Sequence, residues 1–150
     1  MDNVPGMTTE NSGKAPAAEQ ELRDTMVQQL IELGAARSPR VVAAFRTVPR
    51  HLAAPDVDMA KVYEPEQAAI TKTDANGTHI SSVSAPRIQA MQIEQADIQP
   101  GMRVLEIGSG GVNAAYLAEL VGDQGHVVTM DIDPDVTERA KDFLSKILTH

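Results

Sequence analysis

The segment "RVLEIGSGGVNAAYLAELVG", residues 103–122, constrains the fold more than any other stretch of the chain. Val104, Leu105 and Ile107 form a short, nearly continuous apolar run, the pattern of a parallel strand covered on both faces. Gly108, Gly110 and Gly111 follow, and residues without a Cβ let the backbone turn sharply and approach a ligand closely. "AAYLAELVG" then reads as a helix closed by Gly122, with its N-terminal N–H groups aimed over the turn. "HVVTMDI" supplies a second strand, and "DPDVTERAKDFLSKIL" a final helix with Asp133 as N-cap and Pro134 at its first position. Strand, glycine turn, helix, strand, helix is the opening of a right-handed parallel α/β sheet.

In such a sheet ligands bind outside the carboxyl ends of the strands. Asp131 ends the second strand, where a carboxylate accepts hydrogen bonds from ribose hydroxyls. The dinucleotide pattern G-x-G-x-x-G requires a glycine where this chain has Asn113, and no Gly-Lys-Ser/Thr ending marks a P-loop. What remains is Glu106 before the glycines and Asp131 at the next strand end. That arrangement resembles motif I of S-adenosylmethionine-dependent methyltransferases.

Upstream, residues 1–18 carry Pro, Gly, Ser, Thr and Asn without periodicity and are expected to form a disordered leader. Leu22, Met26, Leu30 and Leu33 then recur at helical spacing, with Gly34 near the stop. A second helix is expected from Ser38 as N-cap and Pro39, burying Val42, Phe45 and Val48 and ending before Pro49. Residues 49–85 are irregular, with one short strand at "AAIT" and a turn at "DANG". "SAPRIQAMQIEQADI" reads as a helix capped by Ser84, with Ile88, Met91 and Ile93 as its apolar positions. The expected organisation is a leader (1–18), a helical N-terminal extension with an irregular substrate-side segment (19–97) and a partial cofactor-binding α/β domain (98–150).

The formal charge of −8 argues against a nucleic-acid binder, which would present a basic face to the phosphates. No Cys is present, which removes disulfides, thiolate-bound zinc and thiol nucleophiles. No stretch reads as a signal-peptide core or a membrane span, so a cytoplasmic protein without a membrane partner is expected. His51, His79, His126 and His150 lack metal-ligand spacing and are expected at the surface, and Met91 and Met102 are expected in the core. "DIDPD" is explained by a strand end and a helix cap, and no metal site is expected.

The segments "VVAAFRTVPRHLAAP", "VSAPRIQAM", "GMRVLEIGSGG" and "VVTMDIDPDV", in this order between about Val41 and Leu144, resemble protein-L-isoaspartate O-methyltransferases. The resemblance implies a Rossmann-like domain that binds S-adenosyl-L-methionine and esterifies a protein or peptide carboxylate. It places Ser84 beside the acceptor carboxylate as the catalytic residue. Glu106, Gly108, Ser109, Gly110, Gly111, Asp131 and Ile132 are placed at the cofactor, Asp131 at the ribose and Ile132 next to the adenine. Three departures stand out: a glycine loop one residue shorter, Ser81-Ser82 in place of Gln-Thr, and a longer segment before them. They also resemble a branch that esterifies aspartates of ribosomally made peptides, so the acceptor stays open between isoaspartyl and aspartyl carboxylates. Two strands alone leave open edges and apolar faces, which leads to the expectation of a truncated sheet and a truncated product. The alternative is a non-catalytic partial α/β module that requires a partner chain.

Overall fold

The computed structural model describes residues 14–108 and 110–148, with side chains from residue 17 onward. Helix α1 (Lys14–Glu32) begins within the expected leader, whose residues 1–13 lie outside the described residues. Met26, Val27 and Leu30 are completely buried and fix its inner face. Leu33, expected on that face, is 46% exposed, because the helix has ended and Gly34 turns the chain with φ +68°.

Helix α2 (Pro39–Thr47) starts where Pro39 predicts, but the Ser38 side chain makes no cap bond of its own. The Ser38 hydroxyl instead donates to Glu94 Oε2 at 2.7 Å, while Glu94 Oε1 accepts from the Arg37 and Ser38 N–H groups at 2.6 and 2.7 Å. A carboxylate from another helix thus satisfies the orphan donors at this N-terminus. Val41, Ala44 and Phe45 are buried, and Val42 only partly. A 3-10 turn (Arg50–Ala53) and the single-turn helix α3 (Met59–Val62) lead into the middle segment.

That segment holds a hairpin: β1 (Ala69–Thr73) pairs antiparallel with β2 (His79–Val83), where one strand was expected. Asp74 Oδ1 closes the connecting turn by accepting from Asn76 N and Thr78 N at 2.8 and 2.9 Å, and Gly77 takes φ +82°. Lys72 Nζ reaches Asp133 and Asp135 at 2.7 and 2.8 Å, and Arg139 Nη1 donates to the Thr71 carbonyl at 2.9 Å. The hairpin is therefore tied to the last helix.

Helix α4 (Pro86–Ala96) has Ala85, not Ser84, at its N-cap position, and no side chain caps it. Its inner face is Pro86, Gln89, Ala90 and Ile93, whereas Ile88 and Met91 are exposed. Met102 is exposed as well, so neither expected core methionine is in the core.

Strands β3 (Arg103–Ile107) and β4 (His126–Met130) pair in parallel from Arg103↔His126 to Ile107↔Met130. Helix α5 (Val112–Val121) connects them and is buried almost all round, with the Tyr116 ring stacked on Phe45 at a centroid separation of 3.9 Å. Helix α6 (Pro134–Ile147) starts as expected, with the Asp133 side chain accepting from Asp135 N. Val104 and Val127 pack against the core. Leu105, Ile107, Val128 and Met130 on the other face are 47–78% exposed, so the expected cover on both faces is absent among the described residues. No helix among the described residues is long and apolar enough to cross a membrane.

Candidate functional site

The end of β2, the start of α4, the glycine turn and the first turn of α5 meet around a cavity of about 240 Å³. Ser82 and Ser84 line one side, Gln89 and Gln92 of α4 a second, and Glu106, Gly108 and Gly110 a third, with Asn113 beside them. The end of the hairpin lies over the turn: a Cβ on Gly110 would be 3.7 Å from Val83 Cγ2 and 4.0 Å from the Ser82 carbonyl oxygen. Gly108, at φ +88°, turns the chain in open space, and its N–H donates to the Met130 carbonyl at 2.8 Å.

The structure brings together Ser84, Glu106, Gly108 and Gly110 of the residues expected at the site. Ser109 lies outside the described residues. Gly111 is the N-cap of α5 at φ +88° and packs under α6 rather than lining the cavity; a Cβ there would lie 3.0 Å from Phe143 Cδ1. Asp131 is one residue past the register pair Ile107↔Met130, at the strand end next to Gly108. It borders a separate apolar cavity of about 500 Å³ between β4 and α6, and its Oδ1 accepts from Asp133 N at 2.9 Å. Ile132 beside it is fully exposed.

Two residues at the cavity were not singled out as site residues from the sequence. Asn113, noted there only for breaking the dinucleotide pattern, has a buried Oδ1 with no hydrogen-bond partner among the described residues. Gln89 occupies a core-facing helical position and is only 4% exposed. A polar residue in phase with Pro86, Ala90 and Ile93 was the available signal. Glu106 is half-buried, and its Oε2 accepts the Thr129 hydroxyl. It is the one ionisable side chain on the described cavity wall.

A second polar cluster lies away from this cavity. Glu19, 8% exposed, accepts from Arg23 Nε at 3.0 Å and from the Tyr63 hydroxyl. His51 Nδ1 stands 3.0 Å from that same hydroxyl, so His51 is partly buried in a network rather than free on the surface. Burial pushes the Tyr63 hydroxyl upward, and the Glu19 carboxylate adds to the shift.

The family model described as protein-L-isoaspartate(D-aspartate) O-methyltransferase matches residues 20–149. The chain belongs to this family. A protein-L-isoaspartate O-methyltransferase of Methanothermobacter thermautotrophicus is 37% identical over 126 residues, covering 83% of this chain and 55% of that protein. The one of Hyperthermus butylicus is also 37% identical, over 134 residues, covering 84% of this chain and 53% of that protein. The chain thus spans about half the length of the curated relatives it matches. A solved protein-L-isoaspartate O-methyltransferase superposes with a TM-score of 0.74 at 28% identity, over 85% of this chain and 39% of its own. A second, a protein of this name from Plasmodium falciparum in complex with S-adenosyl-L-homocysteine, shares the fold, with a TM-score of 0.70 at 15% identity. The match begins twenty-one residues before the segments that carry the resemblance in the sequence and so takes in most of α1.

Proposed function

We propose that this chain carries the cofactor and acceptor walls of an S-adenosylmethionine-dependent carboxyl O-methyltransferase acting on isoaspartyl or aspartyl residues of proteins or peptides. The observation that carries the reading is the single cavity shared by Ser84 and the glycine turn. The residues fit the cofactor: a turn open to close approach at Gly108, the N-terminus of α5, and the unpartnered buried Oδ1 of Asn113. Glu106 and Asn113 offer acceptor oxygens suited to a cationic ligand, and Asp131 at the adjacent strand end is suited to ribose hydroxyls.

S-adenosylmethionine, when bound, supplies a methyl group already activated by its sulfonium. The protein's part is then proximity and alignment. An acceptor carboxylate with a pKa near ~4 is ionised at neutral pH, so its oxygen can attack without a general base. A C–O bond forms as the C–S bond breaks, and no proton has to move. Ser84 is exposed at the cavity wall, where its hydroxyl can orient the acceptor.

The test is calorimetric titration with S-adenosylhomocysteine, comparing the chain with Asp131→Ala. Loss of the ribose hydrogen bonds should weaken binding about tenfold or more. Equal affinities would remove Asp131 from the site, and no binding by the folded chain would overturn the cofactor reading. Methyl transfer to an isoaspartyl peptide and to its aspartyl twin, read as base-labile methyl ester, then decides between the two acceptors.

A further inference from the structure

Arg50 ends the Val-Pro-Arg stretch of the family resemblance, yet nothing in the proposed reaction uses it. It is the bulkiest completely buried side chain, and it forms no ion pair with a carboxylate among the described residues. Its Nη1 donates to Gln89 Oε1 at 2.8 Å and to the Tyr116 hydroxyl at 3.3 Å. Its Nη2 donates to the Ser84 carbonyl at 3.0 Å, and Nε has no partner among the described residues. A guanidinium buried without a counter-charge is expensive, because its desolvation is offset only by neutral acceptors. Two of those acceptors, Gln89 and Ser84, belong to residues that line the cavity.

Arginine has donors and no acceptor, so the Gln89 amide can meet it only through its oxygen. The Gln89 amide nitrogen is thereby turned away from Arg50. That nitrogen makes no hydrogen bond within the described residues, although Gln89 is 4% exposed and forms part of the cavity wall. The cavity is also polarised. Glu106 puts negative charge on its β3 side, and Arg50 puts positive charge behind its α4 side. An anion in this cavity is drawn toward Gln89 and Ser84.

We propose that Gln89 Nε2 is a hydrogen-bond donor to the acceptor carboxylate, and that Arg50 is the positioning residue that fixes this donor and supplies the positive field behind it. This deepens the proposed function and rests on it for the nature of the acceptor. Gln89 selects a carboxylate over an amide because its N–H hydrogens, backed by a buried cation, bond an ionised oxygen more strongly than a neutral one, and a carboxylate has no N–H to turn toward them.

The test measures binding of an isoaspartyl peptide and of the same peptide with the side-chain carboxylate replaced by an amide, each with and without saturating S-adenosylhomocysteine. The chain should prefer the carboxylate by about tenfold or more. Gln89→Glu keeps the shape and gives Arg50 a counter-ion, so it should fold; the carboxylate preference should vanish or reverse. Gln89→Met removes the donor without adding charge and should reduce the preference without reversing it. Arg50→Met should lower the preference with Gln89 intact. A preference unchanged in Gln89→Glu overturns the role of Gln89, and one unchanged in Arg50→Met overturns the positioning role. The S-adenosylhomocysteine titration reports separately on the cofactor reading, so the two can fail independently.

Discussion

At the scale of single residues, Gly108 and Gly111 look alike in the sequence and both adopt φ +88°, but they are constrained differently. A Cβ on Gly108 meets nothing within 4 Å, whereas one on Gly111 would lie 3.0 to 3.3 Å from Phe143 and Ala140 of α6. Gly108→Ala should therefore cost only the strain of a left-handed residue, about 1 kcal/mol. Gly111→Ala adds overpacking against α6 and should cost about 2–4 kcal/mol in urea unfolding. Equal costs would show that α6 yields to the added methyl. The glycine turn was legible because a strand, three glycines and a helix are local. The reason for Gly111 was not, because Phe143 lies far along the chain. Gln89 stands out in the sequence only as a polar residue on the inner face of a helix, and Asn113 not as a site residue at all: their significance comes from Arg50 and from the hairpin over them, both remote in sequence.

At the scale of elements, proline located the helix starts, since Pro39, Pro86 and Pro134 each stand at the first helical turn, but the α4 reading still took Ser84 for Ala85 as the cap and Ile88 and Met91 for its inner face. The second hairpin strand was missed because "HISSV" lacks alternation; it pairs with β1 across the Asp74 turn, and β1 is the strand tied to α6. Ser38 is the N-cap residue of α2 as read, but its hydroxyl makes no cap bond and donates instead to Glu94, which lies on α4. Burial alone would raise the Glu94 pKa, but hydrogen bonds from Ser38 and Arg37 outweigh it and hold the carboxyl below the usual range. Its folded-state pKa being depressed, this contribution is present above the unfolded value near ~4.3 and is lost as pH falls through the folded one. Glu94→Gln should destabilise the chain by about 1–2 kcal/mol at pH 7 and by less near pH 3, read from urea midpoints. An equal effect at both pH values would show that charge plays no part. The hairpin offers a second element-scale prediction. Lys72 and its two aspartates are exposed enough for salt to screen them, and Lys72→Met should speed amide exchange in β1 and β2 in low salt, with a smaller difference at 1 M salt. Exchange unchanged in low salt would mean that Arg139 alone holds the hairpin down.

At the scale of the whole molecule, the polar network of Glu19, Arg23, His51 and Tyr63 joins α1 to the 3-10 turn and the end of α3. Arg23 extends it to the last turn of α2 through the Arg46 and Thr47 carbonyls, both at 2.9 Å. The Tyr63 hydroxyl donates to Glu19, so it accepts from His51, which must carry its proton on Nδ1. Burial holds the His51 pKa below its ordinary value, outweighing the pull of Glu19 in the other direction, and Arg23 adds to the depression. For Glu19, burial acts upward, but the hydrogen bonds from Arg23 and Tyr63 prevail and its pKa is also lowered. Both groups therefore act with the same sign. The His51 contribution is complete above the unfolded value near ~6.5 and declines as pH falls toward the folded one; that of Glu19 follows below ~4.3. Acidification should loosen the attachment of α1 in two steps, the first as the pH falls below about 6.5, before most carboxylates titrate. His51→Asn keeps a side-chain N–H for Tyr63 and cannot titrate, so it should abolish the first step and leave the second. Urea midpoints from pH 7.5 to 4, followed by far-ultraviolet circular dichroism, check this. A midpoint flat between pH 7.5 and 5.5 in the unsubstituted chain, or a drop that persists in His51→Asn, would show that α1 is held by Met26, Val27 and Leu30 alone and that the buried network carries no pH dependence into the fold.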